Sequence, residues 1–133
     1  MAFTALGYAA TGIEGCAALA ESARRKGACV TTSNLIDASL GEQVCEVITA
    51  NAVLQHLPAS LLTRSLADIH RALTPSGVLV ALVPQGEDEE GWARGRYVRH
   101  LRAHTWRALL AAFTAVSVTP RERWLLITAR TSA

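Results

Sequence analysis

The sequence lacks the features that mark membrane-spanning, secreted and zinc-binding proteins. Its longest apolar run, residues 77–83, is too short to cross a bilayer, and its first residues carry no basic segment of a secretory signal. The three cysteines are widely spaced, without the close pairs of a zinc site. We therefore expect a cytoplasmic protein without a metal ion or a membrane partner, with Cys16, Cys29 and Cys45 reduced in its core.

Charge of one sign is also scarce, because the net charge is only +2 over 133 residues. Such a balance requires no polyelectrolyte partner. Half of the residues are hydrophobic, and no repeat, low-complexity tract or linker interrupts the chain. A chain of this length and composition buries one core, so we predict a single domain over residues 1–133.

Apolar periodicity alternates between strand and helix along the chain, which predicts an α/β fold with parallel pairing. The predicted strands cover residues 8–14, 28–33, 44–51 and 77–83. The predicted helices cover residues 16–26, 59–73 and 105–113, and the first of them should stop at Gly27. Residues 115–130 offer two further strands, and their short connection at 120–123 permits only an antiparallel pair.

Two segments have a distinctive pattern. The stretch 59–73 places Leu62, Leu66, Ile69 and Leu73 on one stripe, as in a helix packed on a sheet, and 77–83 is apolar enough for a strand covered on both faces. By contrast, residues 84–107 hold an acidic run followed by five arginines. We expect this segment to be mobile or lid-like.

The stretch VITANAVLQHLP, residues 47–58, begins as a buried strand and turns polar where the strand should end. Ligands of parallel sheets gather beyond the carboxyl ends of the strands. Asn51, Gln55 and His56 therefore lie where a site is expected, although polar residues in a loop need no ligand to explain them.

VITANAVLQHLP, the helix ending in LADIHRALTPSG and the strand VLVALVP together resemble the central segment of class I S-adenosylmethionine-dependent methyltransferases. The resemblance implies a Rossmann-like, mostly parallel sheet with flanking helices and a C-terminal antiparallel strand pair. It also implies S-adenosyl-L-methionine as the cofactor and methyl transfer to an acceptor, which we expect to be a small molecule.

The resemblance assigns cofactor-binding roles to residues at the ends of the first two predicted strands. Glu14 matches the acidic residue that accepts hydrogen bonds from both ribose hydroxyls, and a carboxylate suits two hydroxyl donors. Asn34 and Leu35 match the positions that contact the adenine. A solvated strand-end Glu and a loop-capping Asn are the alternative interpretations.

Asn51 and Ala52 match positions beside the methionine portion of the cofactor, and His56 lies near the mouth of the site. His56 could orient a substrate or accept a proton, or it could pack under the following helix and bond to the backbone. No fixed catalytic residue follows from the resemblance. His100, His104 and Tyr97 are further candidates.

The family's glycine-rich loop has no counterpart, so we expect the chain to begin after the first strand and its loop, with Phe3 and Leu6 facing inward from the next helix. In the family that strand lies between the strands matching 8–14 and 44–51. Without it, the two strands pair directly, another segment fills the gap, or the natural protein is longer. Pairing of the exposed edges in a homodimer would also bury them.

Two other function classes stay open. Arg94, Arg96, Arg99, Arg102 and Arg107, interleaved with Tyr97 and Trp106, could bind RNA or phosphate. The absence of the glycine-rich loop instead favours a non-catalytic methyltransferase-like subunit that binds a partner protein through its surface.

Overall fold

The computed structural model describes residues 2–133, which form two compact units, one up to Ser39 and one from Leu40 onward. The first unit contains helix α1 (Ala2–Ala5), strand β1 (Gly12–Glu14), helix α2 (Ala17–Arg25) and strand β2 (Val30–Thr32). Strands β1 and β2 pair in parallel, so that their carboxyl ends lie at the same edge. This crossover matches the predicted order, with shorter strands than the sequence indicated.

Gly27 ends helix α2, as predicted. Its φ of +91° lies in the left-handed region, where glycine carries no Cβ penalty. The N–H of Ala28 donates to the carbonyl of Ala23 and the N–H of Gly27 donates to that of Arg24, which is the Schellman pattern of a helix end. Arg24 then reaches β2 through Val30 O and Thr32 Oγ1, at 3.0 and 2.7 Å, and fixes the helix against the strand.

The second unit combines a mixed sheet with two helices and a separate hairpin. Its elements are β3 (Cys45–Asn51), a 3₁₀ turn (Leu54–His56), α3 (Ala59–Ala72), β4 (Leu73–Pro84), β5 (Glu89–Ala93), β6 (Arg96–His100), α4 (Ala103–Leu109), β7 (Thr114–Arg121) and β8 (Trp124–Arg130). The sheet has the order β3-β4-β8-β7, in which only β3 and β4 are parallel. Strands β5 and β6 pair with each other.

Helix α3 and one face of the sheet form the core. The predicted stripe is confirmed, because Leu62, Leu66, Ile69 and Leu73 are all buried. Alternate residues of β4 and β8 are buried as well, namely Leu79, Ala81, Val83, Leu125, Ile127 and Ala129. The opposite face of β4 is only half-buried, so the expected cover on both faces is complete on one face alone.

Two expectations about burial are wrong. Cys16 and Cys29 are exposed and Cys45 is half-buried, so none of the three cysteines belongs to the core. Phe3 and Leu6 are 50% and 75% exposed rather than inward-facing. Among the helices that the structure describes, none combines the length and the apolar character that a bilayer crossing requires.

The hydroxyl of Thr131 links Thr74 and Gly77, near the start of strand β4. It accepts the N–H of Gly77 at 3.0 Å and donates to the carbonyl of Thr74 at 2.6 Å. Gly77 has no room for a side chain, because a Cβ there would lie 2.8 Å from that same carbonyl. The chain therefore turns from α3 into β4 through a corner that is closed by a residue far along the sequence.

Replacing Thr131 by Val should lower the free energy of unfolding by about 1–3 kcal/mol, because it leaves the buried Gly77 N–H and Thr74 carbonyl without their partner. Urea denaturation measures the change. Thr128→Val is the matched control, since the hydroxyl of Thr128 makes no hydrogen bond to the described residues and the exchange there should cost much less. Equal losses in the two variants would contradict this role of Thr131.

Candidate functional site

Glu14 and Asn34 lie together at the carboxyl ends of β1 and β2. The N–H of Ser33 donates to the carbonyl of Glu14 at 3.0 Å, which holds the two chain segments side by side. A Cβ on Gly15 would lie 3.1 Å from Asn34 Oδ1, so the Asn34 side chain covers the backbone that follows Glu14. The structure thus brings these two predicted residues to one edge of the parallel pair.

Both side chains keep hydrogen-bonding capacity. The half-buried Glu14 carboxylate accepts the N–H of Cys16 at 3.1 Å through Oε1, and Oε2 has no partner among the described residues. The loop after β2 is closed by the backbone carbonyl of Asn34, which accepts the N–H groups of Asp37 and Ala38 at 3.1 Å. The side-chain amide of Asn34 therefore does not cap the loop. The next residue, Leu35, is half-buried.

In the second unit, Asn51 ends β3 and Ala52 turns the chain. Ala52 has a φ of +57°, a left-handed conformation that costs a non-glycine residue about 1–2 kcal/mol. Its N–H still donates to Leu82 O at 2.9 Å, so the sheet holds the strained residue in place. Asn51 is exposed at this bend. Strain of this kind concentrates at functional sites.

His56 is fixed by the neighbouring hairpin. Its Nδ1 lies 2.8 Å from the carbonyl oxygen of Tyr97. Because a carbonyl can only accept, Nδ1 carries the proton, and in the neutral ring the lone pair is then on Nε2. The expected backbone hydrogen bond of His56 is therefore present. It leaves Nε2, on the other side of the ring, able to accept a proton.

Strands β5 and β6 form a hairpin in the segment that the sequence predicted to be mobile or lid-like. Arg94 and Gly95 make its two-residue turn, both with positive φ (52° and 76°), as in a type I′ turn. Trp92 and Tyr97 pair across the strands with ring centroids 6.2 Å apart, and Trp92 is 76% exposed. The Tyr97 hydroxyl donates to Glu90, which raises the pKa of Tyr97 above its ordinary value.

The five arginines of the basic stretch differ in their contacts. Arg102 pairs with Glu87 at 2.9 Å, and Arg107 donates to Val118 O at 3.1 Å. Arg94 and Arg96 are exposed at and beside the hairpin turn. The stretch therefore divides between intramolecular contacts and the end of the hairpin.

Gln55 is more deeply placed than its polar, loop-like sequence context indicated. It is 5% exposed, and its Oε1 has no hydrogen-bond partner among residues 2–133. Arg99 Nη1, on the adjoining strand β6, is likewise buried without a partner in this part of the chain. Such groups are rare in folded proteins and are usually satisfied by water or a ligand. Within residues 2–133, no cluster of acidic, histidine or cysteine side chains is arranged to hold a metal ion.

Asp88 fastens the hairpin to helix α4. Its carboxylate accepts the N–H of Arg102 at 2.8 Å and the hydroxyl of Thr105 at 2.8 Å. The backbone hydrogen bond from Arg102 is the main cause that lowers the pKa of Asp88 below its ordinary value of 3.8. One exposed carboxylate thus fixes where β5 begins relative to α4.

Comparison with protein families gives one match, in which residues 1–81 match the family model of a methyltransferase domain. No curated protein sequence matches the chain significantly. The sequence relationship therefore covers more than half of the chain, including the strand ends that carry Glu14, Asn34 and Asn51.

Solved structures share the fold at low sequence identity. A Burkholderia thailandensis 1,6-didemethyltoxoflavin-N1-methyltransferase, crystallised with 1,6-didemethyltoxoflavin and S-adenosylhomocysteine, is 20% identical, with a TM-score of 0.71 over 98% of this chain and 75% of that one. A Methanosarcina mazei S-adenosylmethionine-dependent methyltransferase is 16% identical, with a TM-score of 0.77 over 92% and 81%. The CMeT domain of the citrinin polyketide synthase is 22% identical, with a TM-score of 0.75 over 98% and 41%. The predicted Rossmann-like α/β fold is confirmed.

Asp88→Asn should destabilise the chain near neutral pH and have little effect in acid. Because folding lowers the pKa of Asp88 below 3.8, its contribution to stability is present above pH 3.8 and is lost as the pH falls through the lowered value. Urea unfolding at several pH values measures the difference between wild type and variant. Asp37→Asn, at an exposed carboxylate without side-chain hydrogen bonds to the described residues, is the control and should leave the free energy of unfolding nearly unchanged.

Proposed function

The chain belongs to the class I S-adenosylmethionine-dependent methyltransferases, and on that basis we propose that it methylates a small-molecule acceptor. The observation that carries the proposal is the pair Glu14 and Asn34 at adjoining ends of β1 and β2. Two hydrogen-bond acceptors at the edge of a parallel strand pair match the donors of a nucleoside.

The residues present fit the nucleoside part of S-adenosylmethionine. A ribose diol offers two hydroxyl donors, and the Glu14 carboxylate accepts one internal hydrogen bond through Oε1 while Oε2 stays available. Asn34 Oδ1 can accept from the adenine amino group, and the half-buried Leu35 offers an apolar neighbour for the ring. We assign these three residues to nucleoside binding.

In the second unit, we assign Asn51 and Ala52 to the methionine portion of the cofactor. The bend at Ala52 leaves the Asn51 side chain exposed beyond the strand end, where its amide can both donate and accept. A backbone that is held at φ +57° by the Leu82 hydrogen bond presents this amide in a fixed position. Such fixed positioning suits a reaction that depends on alignment.

When bound, S-adenosylmethionine supplies an electrophilic methyl group on its sulfonium. Alignment of the acceptor's nucleophilic atom provides most of the rate enhancement in such a displacement. We propose that His56 accepts the proton that the acceptor loses, because its Nδ1–H is engaged by Tyr97 O and its Nε2 holds a lone pair. His100 is paired with Glu89 at 3.6 Å and is a weaker choice for this role.

The surfaces near the hairpin support the proposal of a small acceptor. Trp92 and Tyr97 offer aromatic rings, and Gln55 and Arg99 hold an unpaired acceptor and an unpaired donor. A small polar ring compound could use both kinds of contact. The pairing of Arg102 and Arg107 within the chain argues against an extended polyanion.

Glu14→Gln should weaken S-adenosylhomocysteine binding about 10- to 100-fold, because hydrogen bonds to a charged partner contribute about 1.5–3 kcal/mol. Calorimetric titration measures the change. Glu21→Gln, an exposed carboxylate on α2 that pairs with Arg24 and Arg25, is the control and should bind as wild type does. A wild-type chain that fails to bind S-adenosylhomocysteine would favour the non-catalytic subunit.

His56→Asn should lower the rate of methyl transfer about 100-fold or more, the usual contribution of a positioned base, without changing cofactor affinity. The amide nitrogen of Asn takes the place of Nδ1 and can still donate to Tyr97 O, so the hairpin contact is kept while the proton acceptor is lost. Initial rates with nitrogen-heterocycle and phenol acceptors provide the measurement. His104→Asn, at an exposed histidine, should keep the wild-type rate. Unchanged turnover in His56→Asn would remove this residue from the reaction.

A further inference from the structure

Arg99, on strand β6, carries a half-buried guanidinium that no residue of the described chain compensates. Its Nη1 is buried without a hydrogen-bond partner among residues 2–133, and none of the ion pairs of this part of the chain includes it. A buried nitrogen of a charged group costs free energy when it has no acceptor, and such groups are rare. The guanidinium is therefore suited to an acceptor atom of a bound molecule.

The other four arginines of the segment 84–107 do not share this combination. All four are exposed, and two of them also have a partner within the chain. Water solvates an exposed guanidinium, so these side chains need no further ligand. Among the five arginines, Arg99 alone is partly withdrawn from water without a partner among the described residues.

Glu90 is the carboxylate that would be expected to neutralise Arg99, because the two residues stand opposite each other in the register of β5 and β6. The Glu90 carboxylate instead accepts the hydroxyl of Tyr97. Glu90 is also exposed to water, which weakens its repulsion of a second anion. The positive charge of Arg99 is thus left for an anionic group from another molecule.

Aromatic rings lie on the same face of the hairpin as Arg99. Side chains alternate between the two faces along a strand, so Tyr97 and Arg99 share one face, and Trp92 shares it because it is paired with Tyr97. The two rings have centroids 6.2 Å apart, and Trp92 is 76% exposed. An accessible ring beside a guanidinium suits a flat molecule that carries a negative charge.

Strand β6 also holds the proton acceptor that we propose for methyl transfer. Tyr97 O accepts the Nδ1–H of His56 at 2.8 Å, and Arg99 follows Tyr97 by two residues, which is about 7 Å along a strand. The preceding Gln55 is buried, and its Oε1 has no partner within residues 2–133. One small molecule can therefore reach the region of both Arg99 and His56.

We propose that Arg99 binds an ionised carboxylate of the acceptor, so that the substrate class is a small aromatic acid. This inference rests on the proposed function, because it names the acceptor of the same reaction. A carboxylate accepts two parallel hydrogen bonds from the planar fork of a guanidinium, which a lysine ammonium cannot provide. Trp92 offers its exposed ring to the aromatic part of the acceptor, and the nucleophilic atom is left for His56.

Benzoate and its uncharged isostere benzamide are the probes, and chemical-shift titration of the isotope-labelled chain measures both dissociation constants. The wild type should bind benzoate at least about tenfold more tightly than benzamide, because hydrogen bonds to a charged partner are the stronger ones. Arg99→Met should abolish this preference and leave benzamide binding nearly unchanged. Arg96→Met, at an exposed arginine on the opposite face of β6, is the matched control and should keep the preference.

Arg99→Lys retains the charge without the fork, so it should prefer benzoate by a smaller factor than the wild type does. This variant also decides the question if Arg99→Met does not fold. Equal affinity of the wild type for the two probes overturns the inference, and so does an Arg99→Met or Arg99→Lys chain that keeps the full preference. Titration with S-adenosylhomocysteine tests the proposed function separately. Selective benzoate binding by a chain that does not bind S-adenosylhomocysteine would overturn methyl transfer and leave the anion site in place.

Discussion

The backbone ladder of β4, paired with β3 on one side and with β8 on the other, is the constraint on which the second unit depends. The strand follows α3 without a loop, because Leu73 passes directly into extended backbone. The corner this creates is sterically full, since Gly77 cannot carry a side chain. It is closed only when Thr131, which follows β8, supplies its hydroxyl. The parallel and antiparallel halves of the sheet therefore stabilise each other.

The same ladder fixes the polar end of β3. Pairing with β4 continues to Asn51 and ends with the hydrogen bond from Ala52 to Leu82 O, which forces the bend at that residue. The chain then enters the 3₁₀ turn, where Leu54 is buried and anchors the segment. His56 follows, and its partner is a backbone carbonyl of the hairpin rather than a side chain. The orientation of the imidazole thus depends on the position of the hairpin, whose first strand Asp88 fastens to α4.

The spacing of apolar residues along the sequence was enough to predict the helices and strands that have a distinct local pattern. The stripe on α3, the apolar run in β4 and the short connection between β7 and β8 each carry a distinct pattern. Glu14 and Asn34 could be placed together because parallel strands end at one edge. The β5–β6 hairpin was missed because its acidic and basic runs hide the strand pattern, and its turn has Arg94 where Asn or Asp is usual. Cysteine burial was misjudged because an apolar segment does not show where its ends lie in the fold. Cys16 and Cys29 lie just before α2 and β2 rather than within them.

The pairing of charged residues in the segment 84–107 could not be predicted from the sequence either. Along the chain, the acidic run and the arginines that follow it look like two opposed patches. The hairpin folds them back on each other, so that Glu87 meets Arg102 and Glu89 approaches His100. Arg107 donates to Val118 O, and Arg99 Nη1 is buried without a partner among residues 2–133. The exposed Arg94 and Arg96 lie at and beside the hairpin turn, near the exposed Trp92 in sequence. A surface of this kind offers an aromatic ring and two cations over a short distance. This supports the small acceptor that we propose, because affinity for a long phosphate backbone comes from many charges acting together.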